Sequence, residues 1–312
     1  MSRALIDNIL ATVVYYDVLD YPPTSFEVWK YLINSDQEII IDSQGYSLEE
    51  TIAGLSEEEI EKFVEEHKGF YFLKGREGLV EKRISNSKIA VMKIKRLRWV
   101  VWFLRFIPFV RMIGITGRLA MKNTDIKSDW DLLIILEEGK IWTGRTLVTI
   151  VTHLLGKRRY GNKIKDRVCL NYFITSKSLE IATKDMFSAH EYFFMLPLFD
   201  TGTYKKFQLK NKWIKKFKPN YDLIEIDNLR ILENTRLTKI IRKVGEVVFS
   251  PKILESWLSK WQKKKIMQNP KTRQIGSLVQ ASDKALIFLP EPQGPEVFEK
   301  FRKKMNNLTS DI

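Results

Sequence analysis

The sequence predicts an α+β protein in which a small mixed-sheet domain stands between a helices-plus-hairpin module and a mostly helical one. Three observations carry this. Between residues 89 and 180 apolar runs follow the order strand, connection, strand, helix, strand, which describes a small α/β unit. Residues 1–88 read as amphipathic helices closed by a hairpin, and beyond Leu179 the pattern is almost entirely helical. The chain of 312 residues, 44% hydrophobic, is long enough for two or three domains that each bury a core.

The charge divides along the same lines. Residues 1–88 hold 9 Lys+Arg against 17 Asp+Glu, net −8, whereas residues 89–200 carry +9 and residues 201–312 carry +13 within the total of +14. An asymmetry of this size points to separate modules, with a polyanion such as RNA drawn to the last two and a protein partner to the acidic first one.

In the first module Leu5, Ile6, Ile9, Leu10, Val13 and Val14 recur at helical spacing. "DYPPTSFEVWKYL" gives a proline-marked turn with Ser25 as the N-cap of a second helix. Ser47-x-x-Glu50 and Ser56-x-x-Glu59 are capping-box patterns, the second heading an amphipathic stretch to about His67. "GFYFLKGREGLVEKR" then reads as a hairpin turning over Gly75 to Gly78. Helices followed by a hairpin resemble a winged-helix domain, but "SEEEIEKFVEEH" would present glutamates to phosphates, so packing or partner contact is the expected role.

From about Ile89 to Phe106 runs a basic helix whose tryptophans, at helical spacing, are expected in the core. Pro108 ends it, and "FVRMIGITG" reads as a buried strand. "WDLLIIL" is the second strand, "WTGRTLVTIVTHLLG" a helix and "RVCLNYFIT" the third strand. Further on, Pro197, Pro219 and Pro251 mark helix boundaries, and a last amphipathic helix follows a short strand-like "ALIFL".

Several functional classes drop out. A single cysteine, Cys169, leaves no intrachain disulfide or cysteine-based zinc framework, and a reducing, cytoplasmic setting is expected. The most apolar segment, "WVVWFLRFIPFVRMIGI", is interrupted by Arg105, Pro108 and Arg111, well short of the ~20 residues of a spanning helix. The N-terminus has no signal-peptide pattern, so a soluble chain without a membrane partner is expected. His153 lies on an apolar helix face and is expected at a core boundary, and His190-Glu191 lacks the second histidine of a zinc helix.

The pattern with chemical content is "GITGRLAMKNTDIKSDWDLLIIL". Residues two apart on a strand share a face, so Asp129 and Asp131 project together at the mouth of an apolar strand. Paired carboxylates repel and resist desolvation unless a cation joins them, and Mg²⁺ takes one or two carboxylates together with phosphate oxygens. Gly117, at the end of the preceding strand, lets the backbone approach a phosphate, and a helix starting there adds N–H donors.

This stretch resembles the signature of the polymerase-beta-like nucleotidyltransferase superfamily, in which a hydrophobic strand runs into a glycine turn and a Ser-Asp-x-Asp-apolar stretch follows. The likeness covers Ile113 to Leu136 closely and about 90 residues with the third strand. Patterns such as "AHEYFFMLPLFD" and "NKWIKKFKPN" also resemble a bacterial group joining this domain to a winged-helix-like N-terminus and a helical C-terminus, which sets the expected boundaries at 1–88, 89–180 and 181–312. The resemblance implies a transfer of NMP from an NTP to a hydroxyl acceptor. It makes Asp129 and Asp131 the Mg²⁺ ligands, places Gly117 in the phosphate loop and gives Ser128 a capping role.

Two positions depart from the pattern, though both stay candidates for cofactor binding. Arg118 follows the loop glycine where a small residue is usual, its charge suited to a phosphate and its bulk opposed to close approach. Asn171, a weaker Mg²⁺ ligand that cannot act as a base, occupies the third strand where a carboxylate is usual. Asp166 lies just ahead of that strand. These changes leave open a second reading, a catalytically decayed scaffold that binds nucleic acid or regulates.

Overall fold

The computed structural model describes residues 2–35, 45–222 and 231–309. It is a mixed α and β structure with a two-stranded hairpin and a six-stranded mixed sheet.

The N-terminal module contains α1 (Arg3–Val18), α2 (Ser25–Lys30), α3 (Leu48–Leu55) and α4 (Glu58–Glu61), followed by β1 (Val64–His67) and β2 (Phe70–Leu73). α1 buries Ile9, Val13 and Val14 completely, and they pack with Val28, Leu55 and Ile60 in a core of their own. The capping box at Ser47 forms as its sequence predicts. The other N-terminal signals shift. Thr24, not Ser25, caps α2, and its hydroxyl and Glu27 complete the reciprocal pair. Ser56 ends α3 instead of starting a helix.

The hairpin also lies one element upstream of its expected place. "VEEH", read as the tail of a helix, is β1, and the chain reverses over Lys68 and Gly69, whose φ angles of 54° and 79° suit a tight hairpin turn. "GLVEKR" is not a strand but the first turns of α5 (Gly78–Leu104).

The larger sheet collects β3 (Val110–Ile115), β4 (Trp130–Leu136) and β5 (Val168–Thr175), with α6 (Gly117–Ala120) and α7 (Ile141–Leu154) between them. Beyond these come α8 (Met186–Phe193), β6 (Leu196–Phe199), α9 (Thr201–Lys210), α10 (Arg236–Val248), α11 (Lys252–Gln268), β7 (Leu278–Ala281), β8 (Ala285–Leu289) and α12 (Gln293–Thr309). Strand order is β6-β3-β4-β5-β8-β7, with only the β4–β5 pair parallel. Three of the six strands thus come from the part of the chain expected to be mostly helical. Pro197 sits in β6, at the sheet edge, where a missing N–H is tolerated.

β4 is central, and every residue from Leu132 to Leu136 is fully buried, which is why its sequence is a continuous apolar run with no alternation. Asp131 is its one residue that is not fully buried. α12 returns to the N-terminal module, where Phe301 meets Tyr15 edge-on at 5.7 Å and Lys304 pairs with the buried Asp17. The tryptophans of α5 depart from expectation: Trp99 and Trp102 are 52% and 42% exposed, because the helix packs through Val100, Val101 and Leu104 instead.

Candidate functional site

β3 ends at Ile115 and β4 begins beside it, so the Thr116 N–H donates to the Asp131 carbonyl at 3.1 Å and closes the antiparallel pair. The chain then turns through Gly117, whose φ of 63° lies in the left-handed region. A Cβ at Gly117 would come within 3.0 Å of Asp131 Oδ2. The glycine therefore answers two demands at once, the backbone angle and the space next to the carboxylate. Gly117→Ala is expected to cost about 1–2 kcal/mol in αL strain and to push Asp131 aside; a urea midpoint with a divalent-metal titration checks both.

Asp129 precedes β4 and Asp131 is its second residue. Across the parallel pair Asp131 stands opposite Cys169, and the register then slips, with Leu133 opposite Tyr172. That irregularity brings both Cys169 and Asn171 to Asp131. Oxygen atoms of Asp129 and Asp131 and the Cys169 sulfur lie within 4.8 Å of one another. Asn171 Nδ2 donates to Asp131 Oδ1 at 3.2 Å, while its Oδ1 is buried with no hydrogen-bond partner.

The two carboxylates sense each other. Burial, with the Asp129 charge adding to it, pushes the Asp131 carboxyl up to about 6, and the Cys169 thiol is pushed up to about 12 by burial and the same two aspartates. Burial, followed by the charges of Asp131 and Asp185, raises the Glu191 carboxyl on α8 to about 8.

Among the described residues Arg159 answers the charge of Asp129: its Nη1 donates to Asp129 Oδ2 at 2.5 Å and to Cys169 Sγ at 3.5 Å. Arg159 comes from the loop joining α7 to β5, held by the Arg159 N–H to the Val168 carbonyl at 3.0 Å. Neither Arg159 nor Cys169 was picked out from sequence. The available signal was the density of cations in "KRRYGNKIKDR" immediately before a strand that lies beside the aspartates.

The remaining sequence candidates separate. Ser128 turns away from the aspartates: its hydroxyl donates to the Asp125 carbonyl at 2.9 Å, and Asp125 Oδ1 accepts from the Ser128 N–H at 2.9 Å. It shapes the turn that delivers Asp129. Arg118 is exposed, without an ion pair among the described residues. Asp166 is turned away, paired with Lys93 at 3.1 Å and Arg96 at 2.6 Å. His153 is exposed beside Tyr160, a departure from the expected core boundary. His190 is buried between Tyr16 and Met121, and burial holds it well below its usual range, so it stays neutral.

Lys93 reaches from α5 and is almost wholly buried. Its Nζ donates to the Ser128 carbonyl at 2.7 Å, one residue ahead of Asp129, so it braces the site from behind. Lys93→Met removes this buried donor and its ion pair with Asp166, leaving the Ser128 carbonyl only the Asp166 N–H at 3.3 Å, and is expected to cost about 1–3 kcal/mol, read as a lower urea midpoint.

Two carboxylates, an amide oxygen without a partner and a glycine that sets no side chain against Asp131 fit a divalent cation. Oxygen donors of this kind suit Mg²⁺ or Mn²⁺; the thiol suits neither and stays protonated beside them. Compared with protein-family models, curated proteins and solved structures, the chain matches none of them.

Proposed function

We propose that the protein is a Mg²⁺-dependent nucleotidyltransferase that moves a nucleoside monophosphate from an NTP to a hydroxyl-bearing acceptor. The observation that carries this reading is the apposition of Asp129 and Asp131 at the mouth of β4 with the bare Gly117 turn against Asp131 Oδ2. The order β3, glycine turn with α6, β4, α7, β5 is the arrangement that the polymerase-beta-like resemblance implies, and it supports the finer reading of the sheet as that domain. The helices and hairpin of residues 1–88 support a winged-helix-like module in the same way.

Asp129 and Asp131 hold the metal, and the Asn171 amide, with its oxygen free of other partners, completes the polar wall. When bound, Mg²⁺ supplies positive charge to the phosphoryl oxygens. Gly117 keeps side-chain bulk out of the space beside Asp131. Arg159, which pairs with Asp129, is placed to turn its planar guanidinium to the triphosphate once the carboxylate is engaged elsewhere. The basic surface beyond residue 200 favours RNA or another polyanion as acceptor.

The test incubates the protein with each labelled NTP, Mg²⁺ and a pool of cellular RNA and small molecules. Label transfer is expected with the native chain; transfer that survives Asp129→Asn combined with Asp131→Asn ends the assignment. The Arg159–Asp129 ion pair and the amide in place of a third carboxylate favour the second reading, a decayed transferase scaffold that binds nucleic acid. Salt-sensitive RNA binding without NTP·Mg²⁺ affinity identifies it.

A further inference from the structure

α10 is built inside out. Its inward face is polar: Thr238 is buried, Arg242 donates to the Val110 carbonyl at 3.1 Å and to Asn234 Oδ1 at 2.6 Å, and Glu246 pairs with Arg111 at 2.7 Å. Gly245 lies against the Pro108 ring, with no room for a side chain. The outward face is aliphatic. Leu237, Ile240, Ile241, Val244, Val247 and Val248 are each 43–69% exposed. At 100° per residue they fill an arc of about 120° on the side opposite Arg242. Helices of soluble proteins normally bury such a stripe; here the polar side does the packing and fixes the stripe outward.

The charges around this face say what covers it. Arg236, Lys239 and Lys243 are exposed along one flank, and Glu246, the helix's one acid, is already neutralised by Arg111. Phe249, Ser250 and Pro251 link α10 to α11, which exposes Ile253, Trp257 and Trp261 in a second stripe. The two indoles lie parallel, 6.3 Å apart, among the exposed Lys252, Lys260 and Lys264. A second copy docked about a twofold axis would set these cations against themselves. The phosphates of a nucleic acid would pair with the lysines but would leave the aliphatic stripe against water. A bilayer with anionic headgroups meets both needs, because its acyl region takes the stripe, its charge takes the flanking cations and its boundary suits tryptophan.

We propose that α10 and the exposed edge of α11 form a docking face for an anionic lipid surface, on which the protein lies without crossing it. No helix among the described residues is long and apolar enough to cross a membrane, and this mode needs none. The proposal stands apart from the metal site and survives its failure.

The test is co-sedimentation of the full chain with vesicles of phosphatidylcholine alone and of phosphatidylcholine containing phosphatidylglycerol, with solution mass measured alongside. Binding is expected to the anionic vesicles only, falling roughly fivefold for each of Lys239 and Lys243 changed to Ser. It is expected to be lost in Ile240→Glu/Val244→Glu, whose exposed positions leave the melting temperature unchanged. Three results overturn the proposal: anionic binding that persists in the double glutamate variant, which is attraction by charge alone; a dimer in solution that the same variant dissociates, with no vesicle binding; and a monomer that binds neither vesicle.

Discussion

If the proposed function holds, Asp129→Asn and Asp131→Asn are each expected to reduce metal-dependent NMP transfer by roughly a thousandfold or more, the loss of several kcal/mol of charge stabilisation at the reacting phosphoryl group. The two amides keep the volume of the carboxylates, remove their charge and turn one acceptor oxygen of each into an N–H donor. Asn171 already donates to Asp131 Oδ1, and an amide oxygen at that position still accepts, so local geometry holds. The loss is therefore one of metal affinity and not of folding. Transfer rates measured across a Mn²⁺ and Mg²⁺ titration, set beside unchanged near-ultraviolet dichroism, check this. Asn171→Asp is expected to act in the opposite sense, because a third carboxylate beside Asp131 strengthens metal binding.

The second large effect is on stability, and it runs against the first. Asp131 is pushed up to about 6 by burial and the neighbouring Asp129. A carboxyl whose folded value is raised contributes its full stability below its unfolded value near 3.8, and that contribution is lost as pH rises through about 6. Above pH 7 the charged group is therefore a liability on the order of 3 kcal/mol, which Asp131→Asn removes. In a metal chelator at pH 7.5 the variant is expected to unfold at a higher urea concentration than the native chain, with the two converging below pH 4. Divalent metal reverses the order, because only the native pair gains from binding. Glu191, pushed up to about 8 first by burial and then by the Asp131 charge, adds a further loss of stability with rising pH that Asp131→Asn also lessens, in the same direction. A native chain more stable than Asp131→Asn at pH 7.5 without metal would show that the carboxylates are not held against each other.

Much of this site was legible before the fold. β4 is a run of apolar residues broken by one aspartate, and the two-residue period placed Asp129 beside Asp131 without further information. Gly117 was marked by its place at a strand end, and its left-handed φ and contact with Asp131 give the reason for it. What the sequence hid was register and return. The slip between Asp131 and Leu133 against β5 brings Cys169 to the pair as well as Asn171, and no local pattern announces such a slip. Arg159 reaches Asp129 because the loop after α7 folds back on Val168, a contact set by tertiary packing.

The same limit explains the displaced hairpin. "FVEEH" has helical composition, yet Lys68 and Gly69 can form a tight turn, and pairing with Phe70–Leu73 outweighs helix propensity there. Short strands such as β6 and β7, four residues each, exist because β3 and β8 offer them an edge, and their own sequences barely distinguish them from loops. The outward stripe of α10 was likewise invisible: amphipathicity predicts a buried apolar face, and only the contacts of Arg242, Gly245 and Glu246 reveal that the helix is turned the other way.

Titration of the metal-free chain with Mn²⁺, followed by electron paramagnetic resonance at pH 7.5 and at pH 5, tests the pairing of Asp129 with Asp131 most directly. One saturable site, tightened by added NTP, weakened at the lower pH and abolished in the Asp129→Asn/Asp131→Asn protein, is the predicted result. Free Mn²⁺ signal throughout, or a site that the double variant retains, would contradict it.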